Sequence, residues 1–257
     1  MTYIDTHAHL YAGQFDDDRD EMMQRAFAQG VEKIFLPNID QGSIAGMHEL
    51  VGKYPGKCYA MMGVHPCEVR KDWEKQLEDI KRFYDPNQHI AVGEIGIDLY
   101  WDKSLQAEQT AAFKAQIEWA KLEGKPIVIH SRESFDEIFA VLDELNDDRL
   151  TGIFHCFTGN SEQAKKAIGY GGFLLGIGGV VTFKNSGLVE TLTEVGLEYL
   201  VLETDAPYLA PAPYRGKRNE SAYIPLIAKR LSSIYGRDEV EIGEITTNNA
   251  LKLFNLQ

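Results

Sequence analysis

The feature that most constrains this chain is a rhythm: short apolar runs return at intervals of roughly 30 residues, with helix-patterned segments between many of them. The runs lie at 3–6, 33–37, 59–64, 90–94, 126–130, 152–155, 172–177 and 199–203. Segments such as 18–29, 44–53, 105–122 and 134–145 space their apolar residues by three and four, as a helix with one buried face does. Two more helical stretches, 224–235 and 240–254, follow the last run. Gly30 and Gly124 punctuate helix ends just before the next strand. Strands that are almost continuously apolar are buried on both faces, and intervening helices carry the chain back so that successive strands run parallel. Eight such units predict an α/β fold, the closed (β/α)8 TIM barrel. No internal repeat, low-complexity tract or Pro/Ser-rich linker interrupts the pattern, so residues 1–257 are read as a single domain.

Five of these runs close on metal-capable side chains. His7 and His9 stand two apart at the end of the first, and a strand sends alternate side chains to one face, so both imidazoles aim at one point. Glu94, His130 and His155 end the fourth, fifth and sixth runs, and Asp205 follows the eighth. In such barrels the active site lies at the C-terminal ends of the strands, where all six fall. Taken singly, each histidine reads equally well as a packed core residue and each acid as a cap. Taken together, ionisable groups at the ends of five apolar strands are costly to bury without a shared cation. Four imidazoles and two carboxylates exceed what one tetrahedral ion needs, and they suit two divalent cations bridged by Glu94.

The segments Thr6-His7-Ala8-His9-Leu10, Val92-Gly93-Glu94-Ile95-Gly96-Ile97-Asp98, His130-Ser131-Arg132, His155-Cys156-Phe157-Thr158-Gly159 and Glu203-Thr204-Asp205-Ala206-Pro207-Tyr208 resemble, in order and spacing, the successive signatures of the TatD-type metal-dependent deoxyribonucleases of the amidohydrolase superfamily. The resemblance runs from Thr6 to the C-terminal helix. It implies that His7, His9, Glu94, His130, His155 and Asp205 bind divalent metal, and that DNA phosphodiesters are the substrate. One departure is Ser221, where relatives commonly place proline after Arg218-Asn219-Glu220. The ions themselves are left open among Zn²⁺, Mn²⁺ and Mg²⁺.

Around this core the sequence offers further candidates. Glu94 and Asp205 are the expected catalytic pair, with Asp205 as the base that takes a water proton. Arg132 is placed to contact a phosphate, or else to pair with Glu133. Arg215, Lys217 and Arg218 form a basic run past the last strand, where barrel phosphate sites often lie, as does the 176–179 glycine run. His65, ending the third run, is expected by resemblance on the substrate side, whereas His48 and His89 read as surface or packing residues. Tyr100, Trp101, Tyr208 and Tyr214 are candidates for stacking on single-stranded DNA. Asp16-Asp17-Asp18 reads as a helix N-cap, because consecutive side chains diverge too much to share an ion.

Composition narrows the function. A net charge of −13 excludes a general nucleic-acid clamp over the whole surface and leaves room for a local basic patch. Lacking a signal-peptide pattern or a membrane-length apolar stretch, the chain is expected to be cytoplasmic and without a membrane partner. Three cysteines without paired spacing are read as reduced packing residues, Cys156 also as a candidate pocket wall. A monomer is expected. The rival reading is a superfamily hydrolase of amides, lactones or small phosphoesters, which Glu94 in place of a bridging modified lysine and the basic run disfavour.

Overall fold

A computed structural model describes residues 1–256. Eight strands, β1 (Tyr3–Asp5), β2 (Val31–Leu36), β3 (Cys58–Met62), β4 (His89–Asp98), β5 (Ile127–Arg132), β6 (Gly152–Phe154), β7 (Phe173–Ile177) and β8 (Leu200–Leu202), pair in chain order. Every pairing is parallel. The sheet closes where Thr6 N–H donates to the Leu202 carbonyl at 3.0 Å and Ala8 bridges Ala206. The helices are α1 (Arg19–Ala28), α2 (Ile44–Lys53), α3 (Trp73–Lys81), α4 (Gln106–Glu123), α5 (Phe135–Leu145), α6 (Ser161–Gly169), α7 (Leu188–Leu192), α8 (Ile224–Tyr235) and α9 (Glu239–Leu253). The (β/α)8 barrel read from the sequence is thus the fold.

The core has two layers. Ile4, Phe35, Met61, Ala91, Val128, Ile153 and Val201 fill the barrel interior. Phe254, just past α9, closes its floor with its ring 4.7 Å from that of Phe35. A second, larger cluster joins the outer strand faces to the helices. The interior positions set the site, since a strand repeats its direction every two residues. Val128 and Ile153 point inward, so His130 and His155 emerge on the same face, as does Glu203 from Val201.

Strand β4 departs from the expected 90–94. It runs to Asp98 because Ile95, Gly96, Ile97 and Asp98 keep pairing with Ile129 to Arg132 of β5. Gly96 permits this: at φ 145° it lies where a Cβ would collide with the His130 backbone carbonyl. Glu94 therefore sits inside a strand, not at its end. The register shifts between Val92 and Ile95, and this bulge turns Glu94 to the interior although Ala91, three residues earlier, also faces it.

Candidate active site

A cavity of about 660 Å³ opens at the C-terminal ends of the strands, in the size class of ligand pockets. His9, His65, Glu94, Asp98, Arg132, His130, His155 and Asp205 are among its lining residues. At its floor Glu94 faces two sets of imidazoles with its two oxygens. Oε2 lies 3.0 Å from His7 Nε2 and 3.5 Å from His9 Nε2. Oε1 lies 2.8 Å from His130 Nδ1, 3.4 Å from His65 Nε2 and 3.7 Å from His155 Nε2. Asp205 Oδ1 stands 3.7 to 3.9 Å from the Nε2 atoms of His9, His7 and His155.

Neighbouring groups act on the outward nitrogen of four of these rings, while His7 Nδ1 is buried without a partner. The Tyr11 hydroxyl spends its hydrogen on the Pro37 carbonyl (2.5 Å), so its 3.0 Å contact with His9 Nδ1 makes that nitrogen the donor and leaves the Nε2 lone pair facing the cluster. Glu203 Oε1 lies 3.0 Å from His155 Nδ1 as an ion-pair contact outside hydrogen-bonding angles, so it acts on that ring through its charge. That oxygen also accepts the Cys156 N–H at 2.5 Å. Asp98 Oδ2 sits 2.9 Å from His130 Nε2, leaving Nδ1 toward Glu94. His65 is opposite in sense: Nδ1 accepts from the Cys67 N–H (3.1 Å), so Nε2 is a donor aimed at Glu94.

The electrostatics favour a cation. Burial alone would raise Glu94, but His7, His65, His155 and His130 outweigh it and hold the carboxyl well below its ordinary range. Burial works against charge on His155, yet Glu203 and Glu94 push its imidazole up to about 10. His7, stacked on His155 at 3.4 Å between centroids, is driven well below its usual value by burial and by that neighbour. Burial raises Asp205 to about 6 against the pull of His155 and His9. A buried set of imidazoles and carboxylates with this bias fits divalent metal, which competes with protons for the same lone pairs.

Beneath the cluster, Asp5 holds the β1 and β8 ends together. It accepts from Thr204 N (2.9 Å), Thr204 Oγ1 (2.6 Å), Ser221 Oγ (2.6 Å) and His7 N (3.3 Å). Burial nevertheless raises its carboxyl to about 7. Ser221 thereby gains a hydrogen bond that a proline could not donate. Asp5, Tyr11, Asp98 and Glu203 were not singled out from the sequence. The usable sequence signal was the alternation of Val201 with Glu203, whereas Asp98 falls on a strand only because β4 runs past the expected 94.

The other sequence candidates divide. Arg132 lines the cavity but does not pair with Glu133; its guanidinium lies 3.9 Å over the Tyr100 ring. The 215–218 run is not brought into the cavity. Arg218 makes two 2.7 Å bonds to Asp18 and a third to the Gln14 carbonyl, and Arg215 lies over Phe183. Lys217 is likewise absent from the lining. Two guanidinium groups, Arg25 and Arg218, also explain why Asp18, at the N-cap position of α1, makes no side-chain cap bond. His48 and His89 pack on each other, Nε2 to Nε2 at 3.0 Å. Cys58 is buried as expected, but Cys67 is exposed and lines the cavity with Cys156. No helix among the described residues is long and apolar enough to cross a membrane.

Comparison with known proteins agrees with this geometry. The family model described as TatD related DNase matches residues 4–255. The metal-dependent hydrolase YabD of Bacillus subtilis is 38% identical over 254 residues, covering 98% of this chain and 99% of that one. The 3'-5' ssDNA/RNA exonuclease TatD of Salmonella typhimurium is 34% identical over 260 residues, covering 98% and 99%. The crystal structure of YJJV, a TatD homolog from Escherichia coli, superposes with a TM-score of 0.90 at 28% identity, covering 99% of this chain and 98% of that one. With its full-length match to the family and its imidazole–carboxylate cluster at the strand ends, this chain belongs to the TatD family of metal-dependent hydrolases.

Proposed function

We propose that the protein is a deoxyribonuclease that hydrolyses phosphodiester bonds of single-stranded DNA, exonuclease-like, using two divalent cations. The observation that carries this reading is the split of Glu94, with Oε2 toward His7 and His9 and Oε1 toward His130 and His155. His7, His9 and Asp205 would hold one ion with Glu94, and His130 and His155 the other. Bound there, the ions supply Lewis-acid activation of a water and of a phosphoryl oxygen.

The chain's own groups do the rest. Asp205, with Oδ1 3.7 to 3.9 Å from the Nε2 atoms of His9, His7 and His155, is the base that takes the proton of the attacking water. Arg132 presents a guanidinium at the cavity wall as a donor to the phosphate, and His65, its Nε2–H directed at Glu94 Oε1 3.4 Å away, stands on the substrate side of the same wall. The similarity to the Salmonella relative, named as a 3'-5' ssDNA/RNA exonuclease, supports the substrate class.

One preparation measured two ways tests the proposal. Elemental analysis should give two ions per chain, and single-stranded DNA should be cleaved in preference to a panel of amides, lactones and small phosphoesters. Cleavage of amides or lactones but not DNA refutes the nuclease reading, and a single ion per chain at full activity refutes the two-metal arrangement.

A further inference from the structure

The cavity is polar at its floor and apolar at its rim, and water activation makes no use of that rim. Of the ten large hydrophobic side chains exposed among the described residues, Tyr100, Trp101, Tyr208 and Leu209 cluster in the loops after β4 and β8. Trp101, Tyr208 and Leu209 line the cavity, and Trp101 is 71% exposed. Apolar surface gathered around one opening is the mark of a binding site.

The rim is also held in fixed relation to the floor. Asp98 Oδ1 accepts the N–H groups of Tyr100 (2.9 Å) and Trp101 (3.3 Å), while its Oδ2 lies 2.9 Å from His130 Nε2. One buried carboxylate thus ties the aromatic turn to the imidazole cluster. The two rings stand perpendicular, 4.9 Å apart. The Arg132 guanidinium lies 3.9 Å from the Tyr100 centroid and 5.3 Å from that of Trp101, and it meets no carboxylate among the described residues. Its plane is held by the rings while its N–H groups remain open to an anion.

We infer that Tyr100, Trp101 and Arg132 form a nucleotide subsite beside the scissile bond, in which Trp101 stacks on the base of the adjoining nucleotide and Arg132 takes its phosphate. The inference rests on the nuclease reading. Every base has a π-face, so such a subsite accepts any sequence. It also demands a base free of its own stacking and pairing partners, which selects single-stranded ends over duplex ends.

The test uses the metal-loaded full chain and short single-stranded oligonucleotides carrying one abasic site in turn at each of the three positions nearest the cleaved end. At one position the abasic site should raise KM about tenfold in the wild type. Trp101→Ala should raise KM on the intact oligonucleotide by a similar factor, the two losses should not add, and Trp101→Phe should recover most of the loss. Unchanged metal content and Tm establish that the variant is folded. Strictly additive losses at all three positions, in a wild type that degrades oligonucleotides, overturn the subsite alone. A wild type that cleaves a small aryl phosphodiester but no oligonucleotide overturns the nuclease reading, and the subsite with it.

Discussion

Glu203→Gln asks whether a carboxylate outside the proposed ligand set governs metal binding. Glu203 is fully buried, with Oε1 3.0 Å from His155 Nδ1 and accepting the Cys156 N–H, while Oε2 has no partner and packs against Gly176. At an effective dielectric of about 20, unit charges at that separation attract by ~5 kcal/mol, an upper limit on what the charge lends to His155. Glutamine keeps an acceptor at the Oε1 position, so the loop and ring orientation persist while the charge is lost. Its amide then occupies the unpartnered Oε2 position at a cost of about 1–3 kcal/mol in stability. For a chain of this size that is a fall in Tm of roughly 2–12 °C, with the fold retained. Substitutions of this kind weaken metal affinity or activity by about 10–100-fold. Competition with a chromophoric chelator reads the affinity, and single-stranded DNA turnover reads the activity. Metal affinity and turnover within twofold of wild type, in a folded variant, would refute the role assigned to Glu203.

Asp205→Asn should abolish most DNA turnover, by about 100-fold or more, while retaining metal; full metal content with unchanged turnover shows that Asp205 is not the base. Replacing His7 or His9 by Ala should empty one ion site before the other in an elemental analysis, whereas simultaneous loss of both ions means that the sites assemble as a unit. Phe254→Ala removes the plug of the barrel floor and should destabilise by about 3–5 kcal/mol in denaturant unfolding, a change under 1 kcal/mol counting against that role. His48 and His89 share one Nε2 contact, so one ring must stay neutral to accept, and burial lowers the pKa of both. Unfolded histidines near pH 6.5 then bind more protons than folded ones, so this contribution is complete above that pH and is lost as the pH falls below it. Tm should therefore drop less steeply from pH 7.5 to 5.5 in His48→Gln than in wild type; equal slopes refute the assignment.

The sequence by itself determined the alternation of strands and helices and their parallel closure, and it singled out six candidate metal ligands on or just past the strands. These follow from the apolar period and residue type along short stretches, which need no distant partner to be read. Asp98 and Glu203 lay in the same motifs, and alternation with Val201 pointed Glu203 inward, but their partners were not legible, because which imidazole a carboxylate faces depends on how β4, β5, β6 and β8 meet. Glu94 was legible as a candidate ligand, but only the register shift between β4 and β5 turns it inward to face both histidine sets. The basic run shows the converse: three cations in four residues suggested a phosphate site, and Asp18, 200 residues away, claims Arg218 instead. Tertiary structure alone decided these points, since ring tautomers, ion-pair partners and strand register are fixed by contacts that form only when the barrel closes.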